Sequence, residues 1–289
     1  MYLNTLENNE LYKSVAGMLE TDIEVVRKFV KENANEIVKY HYDEKNIEHM
    51  KLDNLINGNK PKRIQHLTVN HITPRESKES IWREGLLTLS HVLTEKTALS
   101  DYLQELGLTF SFNKGQIIMS KNGRIVDVDV ECGAGTNLKT RLGGKNTFND
   151  YNINGYLFVD EFLQFEIEGW LGSPEILKAI ANCYNNRSIA NNYAKRCCNY
   201  IVSFKVPLDR VDICGFSDDI DADRKTKILL RYAINALSYA EQKKKQSLLM
   251  YNPIIYLKRD YDVPKEDIIK IWDFRSENGK WIPTDSKED

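Results

Sequence analysis

The sequence predicts an α+β protein. Helical and β-prone patterns interleave without a regular strand–helix–strand rhythm, which argues against a doubly wound parallel sheet. An Asn-Gly pair sits between the β-prone runs GQIIMS and GRIVDVDV and brings antiparallel hairpin character. The 289 residues, 42% hydrophobic and 28% charged, suffice to bury a substantial core.

Residues 1–60 read as a helical N-terminal segment. Thr21 and Glu24 have the spacing of a capping box, and Ile23, Val26, Phe29, Val30 and Ile37 follow at helical intervals. The turn-rich, basic stretch NGNKPKR then marks a boundary, so residues 61–289 form the α+β domain. The run IQHLTVNHI reads as a strand ended by Pro74. A helix through Ile81 and Trp82 follows, with Gly85 near its end, and a second runs from Ala98 to Leu106 and is closed by Gly107. After the Asn-Gly turn, Ile125, Asp127 and Asp129 alternate with Val126, Val128 and Val130, the pattern of a half-buried strand. A glycine-bearing loop spans residues 133–146. GYLFVD reads as a strand, LQFEIEGW as a second, and SPEILKAIANCY as a helix capped by Ser173 with Pro174 at its first position. YIVSFKVPL is a strand, residues 221–245 a helix, and NPIIYLKRD and IIKIWDF are late strands.

A formal net charge of -2 gives no global attraction to nucleic acid or anionic membrane. No apolar run approaches a membrane span of about 18 residues, and the polar N-terminus has no apolar signal core, so a cytoplasmic chain is expected. Five cysteines without a C-x-x-C pair fit neither a disulfide framework nor a zinc ribbon; reduced thiols and no metal are expected. The runs KPKR at Lys60 and KKK at Lys243 read as solvated segments unless the chain modifies nucleic acid.

The chain lacks a phosphate-binding P-loop, the H-E-x-x-H motif and the G-x-S-x-G motif. His41, His49 and His91 read as structural or exposed. His66 and His71, five apart on one strand, face opposite sides. His71 and Thr73 lie on one face and can reach a single ligand. They belong to VNHITPRESKESIWREGLL, a β-prone stretch with His-x-Thr followed by a helix that ends in Gly85-Leu86.

This run resembles the opening element of the ADP-ribosyltransferase superfamily, in its DarT and RNA 2′-phosphotransferase branches. The resemblance implies a split antiparallel sheet and NAD as substrate. His71 would bind a ribose hydroxyl and Thr73 would help place the nicotinamide side. Tyr156, on GYLFVD, is the candidate to stack on nicotinamide; a plain core aromatic is the other reading. IIYLKRDYDVPKEDIIKI is similar to the last strand pair of these transferases. The family's glutamate is expected just before that pair, where this chain has Asn252 and Pro253. Glu166, Glu168 and Glu175 are the alternatives, with Glu175 of SPEIL preferred as the catalytic residue; a carboxylate in a first helical turn is also favoured by the helix dipole alone. The resemblance further implies a protein or nucleic-acid acceptor and a toxin or phage-defence role. A non-catalytic binding protein on the same scaffold is the alternative. An RNA phosphotransferase-type reaction would need arginines around the site; Arg75 and Arg141 are available, but their spacing does not bring them together.

Overall fold

A computed structural model describes residues 1–38, 52, 55, 60–133, 137–143, 152–159, 162–163, 167–242 and 252–285, with the backbone alone at 162–163. The chain is α+β. A short strand, β1 (Tyr2–Leu3), precedes helices α1 (Asn8–Leu19) and α2 (Ile23–Ile37). Asp22, rather than Thr21, caps α2: its carboxylate accepts from the Glu24 amide at 2.8 Å. Strand β2 (His66–Arg75) leads to α3 (Lys78–Glu84), α4 (Leu89–Thr94) and α5 (Ala98–Glu105). Next come β3 (Leu108–Asn113), β4 (Gln116–Lys121), β5 (Arg124–Ile125), α6 (Val128–Glu131) and α7 (Asn137–Arg141). Then follow β6 (Asn154–Tyr156), β7 (Phe162–Leu163), α8 (Glu175–Cys183) and α9 (Ser188–Ala194). The chain continues through β8 (Cys198–Pro207), β9 (Val211–Ile213), α10 (Ala222–Glu241), β10 (Ile254–Leu257), β11 (Ile268–Glu277) and β12 (Lys280–Thr284).

The main sheet has the order β7-β12-β11-β8-β2-β6-β10-β9, with β1 beside the start of β2. All its pairings are antiparallel except β1 with β2. Apolar residues of α1 (Leu11, Val15, Met18), α2 (Val26, Val30) and α10 (Leu229, Ala233) join Val69, Phe204 and Val206 of the sheet in one buried cluster. The helices before residue 60 therefore share a core with the central strands. A second cluster joins the three-stranded sheet β3-β4-β5 to α4, α5, α8 and α9 through Leu103, Met119, Leu177, Ile180 and Tyr193. A third packs Ile72, Tyr156, Ile201 and Phe274 beside Trp170.

Several sequence expectations change. β2 runs through Pro74 to Arg75 and pairs with β8 along its whole length. The missing proline N–H is tolerated because the other edge of β2 there has no strand partner among the described residues. The expected strand through Val130 becomes α6, because the Asp127 carboxylate accepts from the Asp129 and Val130 amides and caps a helix instead. Glu168–Trp170 is a single 3-10 turn, not strand. At the head of α8, Pro174 occupies the cap position in extended conformation, and no side chain caps that helix. Cys132 and Cys183 form a disulfide rather than standing reduced, tying the end of α6 to the end of α8.

On one side β2 pairs with β6 at Asn70 opposite Tyr156 only. Beyond that point the strands part. Gly155 is required there: a β-carbon would lie 2.6 Å from the Asn70 carbonyl oxygen and 2.8 Å from Val69 Cγ1.

Two stability predictions follow from these contacts. Gly155→Ala should cost about 1–3 kcal/mol in urea denaturation through overpacking, whereas Gly169→Ala, with open space around it, should change little. Removing the disulfide by Cys132→Ala with Cys183→Ala, residues 51 apart in sequence, should cost about 2–4 kcal/mol, read against the oxidised protein.

Candidate functional site

The parting of β2 and β6 opens a cleft of about 240 Å³. One wall is residues 71–75 of β2; the other is residues 152–156, with Ile254 and Tyr256 of β10 behind them. Leu87, Leu89 and Val92 of the second cluster complete the lining, together with Trp170, Arg141 and the head of α8. His71, Thr73, Tyr156 and Glu175, from two strands and one helix distant in sequence, all line this one space.

A buried side chain holds the parting point. Asn70, 2% exposed, donates from Nδ2 to the carbonyls of Tyr156 and Leu157, both at 3.1 Å. Its Oδ1 accepts from Ser203 Oγ at 2.7 Å, which in turn accepts from Trp272 Nε1 at 3.0 Å. Thr5 Oγ1 also donates to the Leu157 carbonyl, at 2.5 Å. Four elements are thus joined at the point where the ladder stops, and the buried polar groups satisfy one another.

His71 is the first residue beyond the clamp. Its Nδ1 lies 2.5 Å from the Asn154 carbonyl oxygen. A carbonyl only accepts, so Nδ1 carries the proton and donates. Burial pushes the imidazole down from its ordinary value to about 4; the bond to Asn154 opposes this and the Arg75 charge adds to it. Part of the ring surface opens to the cleft, so entering water offsets some of the shift. The neutral ring leaves Nε2 as a hydrogen-bond acceptor for a ligand. Thr73, on the same face of β2, is buried against the cleft.

Tyr156 is placed differently from the expectation of an open stacking face. Paired with Asn70, it projects on the face opposite His71. It is 4% exposed and packs edge-on against Trp170, with ring centroids 5.7 Å apart. It is a core aromatic whose edge reaches the cleft through the gap in the sheet.

Glu175 starts α8 and points its carboxylate at Arg141, with Oε2 2.8 Å from Nη2. It is the sole carboxylate among the described lining residues. Glu168 lies outside the cleft lining and exposed, and Glu166 falls outside the described residues. Asn252, where the family glutamate was expected, is structural: its Oδ1 accepts from the Phe158 amide at 2.9 Å and its Nδ2 donates to the Phe158 carbonyl at 2.7 Å. Just after it, Ile254 faces the cleft.

Arg75 and Arg141, which spacing could not bring together, both line the cleft. Sequence reasoning missed Asn154, Trp170 and Tyr256, which carry no local motif and become neighbours only through strand order. The Gly85-Leu86 end of α3 docks on the Val263 turn through paired backbone bonds of 3.0 and 2.8 Å, so two fragments of the sequence resemblance meet at one bridge. His91 bonds the Asp262 carboxylate and is a structural tie. His41, His49 and the KKK run lie outside the described residues. Lys60 pairs with Asp223, and Lys62 with Glu20 at 2.6 Å, which leaves the KPKR run largely neutralised. Among the described residues no group of side chains is arranged for a metal ion, and no helix is long and apolar enough to cross a membrane. Compared with protein-family models, curated proteins and solved structures, the chain finds no match.

The His71 environment makes a pH prediction. The unfolded imidazole takes up its proton near 6.5 and the folded one near 4. The folded state therefore loses stability as pH falls through that interval and is unaffected above it. An NMR titration should give His71 a midpoint well below 6; a midpoint near 6.5 would contradict the buried, neutral ring.

Proposed function

We propose that the cleft binds NAD and that the chain is an ADP-ribosyltransferase-like enzyme acting on a macromolecular acceptor. The supporting observation is the convergence of His71, Thr73, Tyr156 and Glu175 on the single space opened by the split between β2 and β6. The cavity, about 240 Å³, falls below the range of about 300–1,000 Å³ typical of whole drug-sized ligands. It therefore takes the nicotinamide riboside end, with the rest of the dinucleotide lying toward the mouth.

Each side chain has a part suited to its chemistry. His71 Nε2 accepts from a ribose hydroxyl, and the Thr73 hydroxyl adds a second contact. By ladder alternation the backbone N–H and C=O of Ile72 lie on the edge that β6 leaves, a donor and acceptor matched to a carboxamide. Trp170 and the edge of Tyr156 supply an aromatic wall. In the reaction the bond between ribose C1′ and the nicotinamide nitrogen breaks. Nicotinamide leaves with the electron pair, and positive charge develops on C1′ and the ring oxygen. The acceptor atom then bonds to C1′ and gives up its proton. A carboxylate beside that sugar stabilises the developing charge, and Glu175 is the described residue able to serve. The toxin or phage-defence role implied by the sequence resemblance rests on the same activity.

One observation favours a second reading, a non-catalytic binding protein: at the start of β10 the cleft meets Ile254 and not an acid.

Calorimetric titration with NAD decides between them in combination with a nicotinamide-release assay. Wild type should bind NAD, and His71→Ala should weaken binding about tenfold, the loss of one ligand hydrogen bond. Glu175→Gln should lower nicotinamide release at least about 100-fold with binding retained. Binding without release in the wild type would leave the non-catalytic reading, and no binding by folded wild type would reject both roles for NAD.

A further inference from the structure

We propose that Glu175 gates an anion site in the cleft: its carboxylate occupies the place on Arg141 that a ligand phosphate takes, and a phosphate-bearing ligand displaces it. The inference rests on reading the cleft as a ligand site and identifies the chemistry that opens it.

The two partners of the ion pair are unequally solvated. The Arg141 side chain is 18% exposed, and that of Glu175 is 41% exposed. A guanidinium mostly withdrawn from water needs an anionic partner at all times. The carboxylate, at the first turn of α8, retains access to water and to the favourable end of the helix. When an exogenous anion arrives, the cation stays and the carboxylate leaves. The direction of the exchange is set by burial.

Among the described lining residues, Glu175 is the one carboxylate beside more than one cation. Arg75 lines the cleft as well, and its Nε is buried without a hydrogen-bond partner among the described residues. His71 is neutral near pH 7, so among the described lining residues two guanidinium groups face one carboxylate. A ligand carboxylate would only repeat what the tethered Glu175 already provides. A phosphate or diphosphate offers more oxygens and more charge, and its geometry suits the fork of arginine donors. Such an anion has a reason to win the exchange and to engage Arg75 at the same time.

The consequence for the reaction is ordering. Glu175 is tied to Arg141 until a phosphate group takes the guanidinium. The carboxylate is then released toward the sugar of the same ligand. A sugar lacking phosphate leaves the pair closed and meets no free carboxylate.

Inorganic pyrophosphate, titrated calorimetrically at low ionic strength, tests the gate without NAD. Glu175→Gln should bind pyrophosphate about fivefold more tightly than wild type, the fold-change for about 1 kcal/mol of partly exposed ion pair. Arg141→Gln should bind at least about tenfold more weakly, and adding Glu175→Gln to it should restore nothing. Glu168→Gln removes a carboxylate outside the cleft and should leave affinity unchanged. Unfolding temperatures identify any variant that fails to fold, and Glu175→Ala then replaces Glu175→Gln. Unchanged or weaker binding by folded Glu175→Gln, or equal tightening by Glu168→Gln, overturns the gate. The same comparison with ADP and with a single-stranded oligonucleotide assigns the phosphate to a nucleotide or to a nucleic-acid backbone, according to which gains affinity. The two readings fail separately. A gate seen with pyrophosphate in a protein that releases no nicotinamide leaves the anion site and removes the transferase; NAD turnover without tightening by Glu175→Gln does the reverse.

Discussion

The side chain of Asn70 is the constraint on which the rest of the site depends. A strand pair normally continues until its backbone groups run out. Here β2 and β6 touch at a single residue pair, and a buried amide replaces the next rungs by gripping the carbonyls of Tyr156 and Leu157. Ser203 and Trp272 fix the amide's orientation from β8 and β11. With its carbonyl oxygen and amide nitrogen both engaged, Asn70 cannot flip without losing bonds on two sides, each costly to leave unmade in a dry interior. The buried polar groups at the Asn70–Tyr156 pair are therefore satisfied, and beyond it a cleft opens through the middle of the sheet. Gly155 completes the arrangement by letting the β6 backbone approach Asn70 where any side chain would collide.

A lobe with its own core also lines the cleft, and it bears the Arg141–Glu175 ion pair. Arg141 ends α7 and Glu175 begins α8, so the ion pair fastens these two helices in the cleft lining. The disulfide between Cys132 and Cys183 fastens the preceding segment to the far end of α8. One link is covalent and lies outside the cleft lining; the other is ionic and belongs to it. Under the proposed exchange, the disulfide would still tie this segment to α8 once the ion pair opens.

Where local chemistry decided the outcome, the sequence was legible. The helix with Gly85 at its end formed as read, because a positive φ of 73° and the docking on Val263 both demand glycine. The Asn-Gly turn at Asn122 makes its hairpin, and a second Asn-Gly pair, Asn278 and Gly279, forms the β11–β12 turn. The alternating valines misled because Asp127 offered two backbone amides a cap, a local bond that the period-two pattern does not register. Pro74 misled for the opposite reason: its strand continues because the open edge beside it asks for no N–H. In the cleft, His71 and Thr73 could be read from one strand, since two residues at that spacing share a face. The meeting of Arg75, Arg141 and Glu175 could not, since it depends on strand order and on the packing of a lobe far along the chain. Asn252 shows the limit of motif logic, because its amide is spent on the Phe158 backbone.

The same separation of strands also fixes the protonation state of the histidine. Beyond Asn70 the Asn154 carbonyl is free of the ladder, and His71 Nδ1 takes it. A bond to a carbonyl favours the protonated ring, yet desolvation dominates and Arg75 works in the same direction, so the ring stays neutral. A cationic imidazole would add a third positive charge to a cleft already holding Arg75 and Arg141, and it would have no lone pair to offer a hydroxyl. Neutrality gives the cleft two distinct chemistries at once. His71 Nε2 offers a lone pair to a hydroxyl group, and the two arginines of the same lining carry positive charge. The neutral imidazole and the arginine of β2 both stand in the cleft lining because β6 leaves β2 at Asn70.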